Sequence, residues 1–250
     1  MIGLDREVLA AGTTLVRTDS LNLLLAGGPG TLADGAIVAL DGPPGCGKTT
    51  ALAQLVHEVD SAFVTVSLDP RSTDKDVVRQ VHEAVVGTPV TSRTNKAEMA
   101  NEVRCELARQ SRLLCIDEAQ NASVSAIEMI RQLQMDPTAN FGLVLSGAGL
   151  NKKLKSEQML HSRVGQWVHF APISAGELPR VLHGLHPLLA TLDDDLLIAA
   201  DDHTCHGVLR SWVNILRFLR RFTPAGAPAS KEGLEQAIFM LTSKSVDLAA

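Results

Sequence analysis

The octapeptide GPPGCGKT at residues 42–49 constrains the fold of this chain more than any other feature. It matches the pattern G-x-x-x-x-G-K-[ST], in which glycines let consecutive backbone amides turn inward around a phosphate group. The apolar run AIVALD precedes it and a helix-like segment follows it, which is the setting that the motif requires. The sequence therefore predicts a phosphate-binding loop. The alternative is a glycine-proline turn that only joins a strand to a helix.

The residues of this loop are expected to make different contacts with ATP and Mg²⁺. Lys48 is expected to neutralise the β- and γ-phosphates of ATP, and Thr49 to offer its hydroxyl to Mg²⁺. The amino end of the following helix adds a favourable dipole for the same phosphates. The other predicted nucleotide contacts are Gly42, Pro43, Pro44, Gly45, Cys46, Gly47 and Thr50.

Short apolar runs alternate with helix-like segments, a pattern typical of an α/β protein with a mostly parallel sheet. The predicted strands are residues 36–41, 62–68, 112–117, 141–146 and 167–171. The predicted helices between them are 48–59, 74–86, 96–110, 123–134 and 152–160. Beyond residue 174 only helices are predicted, at 175–185, 193–201, 208–222 and 231–243. The expected domains are an N-terminal segment (1–17), a five-stranded α/β core (18–173) and a helical lid with a C-terminal helix (174–250).

The charge balance and the cysteines limit the function classes. With 23 Lys and Arg against 28 Asp and Glu, the net charge is -5, so a polyanion must be met by a local basic patch. Aromatic residues make up only 3%, which argues against a base-stacking platform. The four scattered cysteines (Cys46, Cys105, Cys115 and Cys205) indicate a reducing, cytoplasmic setting. The sequence contains no long apolar run, so we expect no signal peptide and no membrane span.

Two adjacent carboxylates follow the predicted third strand. Asp117 and Glu118 lie in RLLCIDEAQ, at the point where a buried strand ends. An aspartate in this position can hold Mg²⁺, and the neighbouring glutamate can polarise the water that attacks the γ-phosphate. The alternative is that both acids only cap the following helix.

The order of motifs in residues 18–222 resembles that of AAA+ ATPases: GPPGCGKT, then IDEAQ, then LVLSGAG, then HSRV before the fifth strand. The resemblance implies that the fourth strand lies between the first and the third. It also implies that Ser146 senses the γ-phosphate and that Arg163 is an arginine finger reaching a neighbouring subunit's nucleotide. In GVLR, it implies that Arg210 contacts the γ-phosphate of its own subunit. The alternatives are a strand-end turn for Ser146 and plain solvated arginines for the other two.

Within that family, IDEAQN, SGAGL and the small lid resemble the transposition regulators MuB, TnsC and TniB and the related ExeA-type ATPases. This resemblance implies a homo-oligomeric ring or helical filament that assembles with ATP on double-stranded DNA and engages a transposase. ATP hydrolysis would then control disassembly. The alternatives are an ExeA-like switch that acts on a protein partner without DNA, and a helicase loader of the replication type.

Two basic surfaces are candidates for DNA contacts, although either can be an ordinary solvated face. The first comprises Arg71, Lys75, Arg79, Arg93 and Lys96. The second comprises Arg217, Arg220 and Arg221, joined by Lys152, Lys153 and Lys155. A separate histidine and cysteine cluster consists of His183, His186, His203, Cys205 and His206. Its spacing lacks a zinc-site register, so a polar loop is expected there.

Overall fold

The computed structural model describes residues 12–90, 95–110, 112–134, 136, 141–155 and 158–248. The chain forms two compact units. The first comprises Leu23–Pro43 and Lys48–Phe170. The second comprises the described residues up to Asn22, the short segment Pro44–Gly47, and the chain from Ala171 onwards. The phosphate loop therefore contributes residues to both units.

A five-stranded parallel sheet forms the centre of the first unit. Its strands are β1 (Ile37–Asp41), β2 (Ala62–Ser67), β3 (Arg112–Asp117), β4 (Phe141–Gly147) and β5 (Val164–His169). The spatial order is β2-β3-β4-β1-β5, so β4 lies between β1 and β3 as the motif order implies. Because the strands are parallel, their carboxyl ends meet at one edge of the sheet, where ligands bind in open α/β folds. This confirms the α/β prediction.

Helices flank the sheet. They are α1 (Asp19–Ala33), α2 (Lys48–Val59), α3 (Asp74–Val86), α4 (Lys96–Arg109), α5 (Val124–Gln134), α6 (Leu150–Leu154) and α7 (Gln158–His161). In α3, the buried residues Val77, Val81 and Val85 follow one another every four positions, which places them on one face. That face packs into the apolar core together with the central strands. Thr73 and Asp76 form a capping box that fixes where α3 begins.

The second unit is helical. It contains α8 (Leu178–Leu185), α9 (Asp194–Ala200), α10 (Leu209–Phe222) and α11 (Lys231–Thr242), with α9 continuing into a π-helical turn at Asp201–Cys205. Trp212 and Leu216 of α10 are fully buried in a core separate from that of the first unit. In the described residues beyond Ala171 no strand occurs, in agreement with the predicted pattern. None of the helices in the described ranges is long and apolar enough to cross a membrane.

Helix α1 has no counterpart among the predicted elements, and it contains GGPG at residues 27–30, although glycine and proline disfavour helices. Pro29 lies inside the helix, and a side chain on Gly28 would approach Leu55 Cδ1 to 2.9 Å. A glycine is therefore favoured there by close packing against α2, which outweighs its low helix propensity.

Two predicted elements near residue 160 differ from the structure. The fifth strand begins at Val164, three residues before the predicted start at Trp167, and ends at His169. The earlier start was missed because Gly165 interrupts the apolar pattern. A side chain at Gly165 would lie 2.7 Å from Ala36 Cβ, so packing favours glycine there. The helix predicted over 152–160 is replaced by two short ones, α6 and α7, while residues 156–157 lie outside the described ranges.

Candidate nucleotide-binding site

The ammonium group of Lys48 contacts the first two residues of the phosphate loop. Lys48 Nζ donates hydrogen bonds to the carbonyl oxygens of Gly42 (2.7 Å) and Pro43 (2.9 Å), and the side chain is buried. Gly42 is required by packing, because a Cβ there would lie 2.2 Å from the carbonyl oxygen of Phe170. Gly47 has φ +93, a conformation that side-chain-bearing residues rarely adopt. Two loop carbonyls thus hold the ammonium group of the first residue of α2.

Thr49 and Asp117 bring two hard oxygen donors together. The Thr49 hydroxyl donates to Asp117 Oδ2 at 3.2 Å, joining the first turn of α2 to the carboxyl end of β3. Asp117 is buried, with 8% of its surface exposed. A hydroxyl and a carboxylate are ligands that suit Mg²⁺, so the residues present fit the ion predicted from the sequence.

Glu118 follows Asp117 in a left-handed conformation, with φ 53 and ψ 35. Such a backbone is uncommon for a residue other than glycine and occurs preferentially at functional sites. The side chain is exposed, and it makes no capping hydrogen bond to the short 3₁₀ turn Ala119–Asn121 that follows. Its Oε2 instead accepts a hydrogen bond from Gln120 Nε2. These features disfavour the helix-capping interpretation of Glu118.

Ser146 lies at the carboxyl end of β4, in register with Leu40 of β1. Its side chain is fully buried, and its hydroxyl finds no hydrogen-bond partner among the described residues. One position further on, the Gly147 carbonyl accepts from the backbone N–H of Gly42, the first residue of the phosphate loop. A buried hydroxyl without a partner is costly, so a ligand or water is expected to satisfy it.

Burial changes the acid-base properties of two residues around this site. Burial and, secondarily, the charge of Asp117 raise the pKa of the Cys115 thiol to about 12, so it stays protonated and unreactive at neutral pH. Burial also lowers the pKa of Lys153. Lys153 Nζ donates to the carbonyl oxygens of Gln120 (2.6 Å) and Ala122. Lys153 was a predicted member of the second basic surface, but its ammonium group is turned onto these backbone carbonyls.

Arg163 lies at the opposite edge of the sheet from the phosphate loop. It is exposed between α7 and β5, and its carbonyl oxygen accepts from the backbone N–H of Ile37, the first residue of β1. The phosphate loop follows the other end of β1, and a five-residue strand spans about 16 Å. The structure therefore does not bring Arg163 to the phosphate loop of its own chain.

Arg210 belongs to the second unit, as does Gly45 of the phosphate loop. Its backbone N–H donates to the Gly45 carbonyl oxygen at 3.1 Å. Upstream, the buried carboxylate of Asp201 accepts from the Gly207 backbone N–H (2.8 Å) and from Trp212 Nε1 (2.7 Å). Asp201 thus fixes the turn that leads into Arg210, and the sequence contains no motif that would have singled it out.

The first basic surface is partly neutralised by its own acidic neighbours. Arg79 forms ion pairs with Asp76 (3.4 Å) and Glu83 (3.8 Å), and Lys96 lies 3.7 Å from Asp74. Hydrogen bonds from Ser123 and Ser125 lower the pKa of Asp74, which keeps that carboxylate charged. The remaining predicted members are Arg71 and Lys75, both at or near the start of α3, and Arg93, which lies outside the described residues.

The second basic surface differs, because α10 contains no acidic residue. Arg217 donates to Asn214, and the Arg221 guanidinium lies 5.4 Å from the ring centre of Phe218. Among the histidines, His183 Nε2 lies 3.2 Å from the Leu192 carbonyl oxygen. Within the described ranges, no group of three or more His, Cys, Asp or Glu side chains could hold a metal ion.

Comparison with known proteins gives one family match and several similar structures. Residues 31–153 match the family described as AAA domain. No curated protein sequence matches the chain. The Orc2 protein of Aeropyrum pernix superposes with a TM-score of 0.68 at 14% identity, covering 94% of this chain and 70% of that one.

Two further structures have similar folds. The Aeropyrum pernix Orc1 protein in complex with DNA gives a TM-score of 0.67 at 18% identity, covering 94% of this chain and 69% of that one. The Thermotoga maritima RuvB Holliday junction branch migration motor gives 0.61 at 14% identity, covering 90% and 70%. The chain thus has the fold of P-loop AAA+ ATPases, and its residues 31–153 match the AAA domain.

Proposed function

We propose that this protein is an ATP-hydrolysing, DNA-binding AAA+ regulator of transposition that assembles on target DNA and engages a transposase. The observation that carries the ATPase part is the contact between Thr49 and Asp117, next to the contacts of Lys48 with the Gly42 and Pro43 carbonyl oxygens. The transposition part rests on the motifs IDEAQN and SGAGL. The rate of ATP hydrolysis would determine when the assembly dissociates from DNA.

Residues of the first unit have separate roles in binding and hydrolysing ATP. Lys48 and the backbone amides of the loop bind the β- and γ-phosphates, while Thr49 and Asp117 hold Mg²⁺. Mg²⁺ neutralises charge on those phosphates when it is bound. Glu118 accepts a proton from the attacking water, and the unpartnered hydroxyl of Ser146 bonds to the γ-phosphate. In the second unit Arg210, bonded through its backbone to Gly45, is proposed as a further contact to that phosphate.

Arg163 is proposed to complete the site of a neighbouring copy. Its exposed position at the far edge of the sheet supports a role in trans, because it cannot readily reach its own phosphate loop. An arginine supplied in this way stabilises charge on the transferring phosphate and raises the rate of hydrolysis about 10³-fold or more. The active form would therefore be a homo-oligomer.

Mixing two inactive variants tests this arrangement. Arg163→Ala and Lys48→Ala should each hydrolyse ATP poorly alone. In an equimolar mixture, some interfaces combine an intact nucleotide site with an intact Arg163, so phosphate release should recover to a measurable fraction of the wild-type rate. Arg180→Ala, which alters an exposed arginine of the second unit, serves as the control for charge removal. A mixture no more active than its two components would contradict a finger in trans.

For DNA contacts, the structure favours α10 over the surface around α3. Arg217 and Arg221 lie four residues apart, which places them on one face of a helix without acidic residues. Such a face suits sequence-independent phosphate contacts. Two structural neighbours support DNA as the ligand, since one was solved in complex with DNA and another is a branch migration motor.

Electron microscopy with a slowly hydrolysed ATP analogue tests the DNA-dependent assembly. Rings or filaments are expected when analogue and double-stranded DNA are both present, and fewer at physiological than at low salt, because phosphate contacts weaken as salt rises. Arg217→Ala combined with Arg221→Ala should reduce assembly on DNA, with Arg79→Ala as the matched control. Assembly to the same extent with and without DNA would contradict this proposal and favour an ExeA-like switch that acts on a protein partner. DNA-dependent assembly that recruits a helicase instead of a transposase would favour a replication-type loader.

A further inference from the structure

Gln120 uses both ends of its side-chain amide. Its Nε2 donates to Glu118 Oε2 at 2.5 Å, and its Oε1 accepts from the backbone N–H of Ala148 at 3.1 Å. Ala148 follows β4 directly, two residues after Ser146. One side chain therefore connects the carboxylate proposed to activate water with the end of the strand proposed to sense the γ-phosphate.

The packing around this amide leaves it little freedom. A Cβ on Gly147 would lie 2.3 Å from Gln120 Oε1 and 3.1 Å from the Gln120 backbone nitrogen, so only glycine allows this approach. The backbone of Gln120 is held as well, because its carbonyl oxygen accepts from Lys153 Nζ at 2.6 Å. From the opposite side, Asn121 Nδ2 donates to the Leu68 carbonyl oxygen at 2.9 Å, just beyond β2. The turn that carries Glu118 is thus fixed to the ends of two other strands.

We propose that Gln120 is a positioning residue: it orients the Glu118 carboxylate and ties that orientation to the end of β4. Glu118 needs such support because its side chain is exposed and leaves a left-handed backbone, so few other contacts define where it lies. An orienting hydrogen bond of this kind typically affects turnover more than ligand binding. The inference rests on the proposed ATP hydrolysis.

Two substitutions distinguish the hydrogen bond that Gln120 donates to Glu118 from the one that it accepts from Ala148. Gln120→Met removes both hydrogen bonds at similar volume. Gln120→Glu keeps an oxygen that can accept from Ala148 but removes the donor to Glu118. Both should reduce kcat about 10- to 100-fold while the Kd of a slowly hydrolysed ATP analogue stays within about threefold. Gln110→Glu, the same change on an exposed residue near the amino end of β3, should leave both quantities unchanged.

Hydrogen exchange measured without nucleotide gives an independent result. The Ala148 amide should exchange about tenfold faster in Gln120→Met, because it loses its acceptor, and at the wild-type rate in Gln120→Glu. Wild-type turnover in Gln120→Glu would overturn the proposal, since a purely structural role needs only the Ala148 contact. Unchanged exchange in Gln120→Met would overturn it too. Failure of the wild-type protein to hydrolyse ATP would instead reject the proposed function, and exchange would still report on the Ala148 contact.

Discussion

Replacing Lys48 with alanine is expected to weaken binding of an ATP analogue by about 100-fold, because hydrogen bonds to charged groups contribute about 1.5–3 kcal/mol and each 1.4 kcal/mol is tenfold. The ammonium group is buried inside the phosphate loop, where it contacts the carbonyl oxygens of Gly42 and Pro43. Once it is removed, the loop retains its backbone amides but loses its only lysine.

Isothermal titration calorimetry with a slowly hydrolysed analogue and Mg²⁺ measures this loss. Lys152→Ala provides the matched control, because Lys152 is an exposed lysine of α6. It should bind the analogue as the wild type does. Thermal unfolding should confirm that Lys48→Ala is folded, since the substitution also removes the partner of two loop carbonyls. A Kd for Lys48→Ala within about threefold of the wild-type value would contradict the assignment of the loop.

The parts of the site that could be predicted from sequence are those determined by local patterns. The glycine loop has a fixed length and lies between a strand and a helix, so Lys48 and Thr49 follow from the motif itself. Asp117 and Glu118 follow from their place after a buried apolar run. Thr49 and Asp117 were both predicted to hold Mg²⁺ and hence to lie close together, and the contact between them agrees with that expectation.

The parts that were missed depend on contacts between distant segments. Gln120 received no role from the sequence, and its close approach to Gly147 is visible only in the structure. Lys153 looked solvated, yet its ammonium group is turned onto backbone carbonyls. Asp201 acquires its partners because a π-helical turn folds Gly207 and Trp212 onto it. None of these pairings produces a periodic pattern in the sequence.

The largest expected effect on turnover comes from Glu118→Gln. Loss of a general base typically reduces the rate about 10²- to 10⁴-fold. The glutamine keeps an oxygen that can accept from Gln120 Nε2, so the local structure and the binding of ATP should persist. Since hydrolysis is proposed to control disassembly, this variant should also remain assembled with ATP for longer than the wild type.

Measuring phosphate release at saturating ATP and Mg²⁺ from the wild type, Glu118→Gln and Glu58→Gln tests whether Glu118 activates the attacking water. Glu58 is an exposed glutamate of α2, so its substitution controls for the change of charge. Turnover is expected from the wild type and from Glu58→Gln, with a loss of about 10²-fold or more in Glu118→Gln and unchanged ATP binding. Equal rates in all three proteins would contradict this expectation, because Glu118 would then not activate the attacking water.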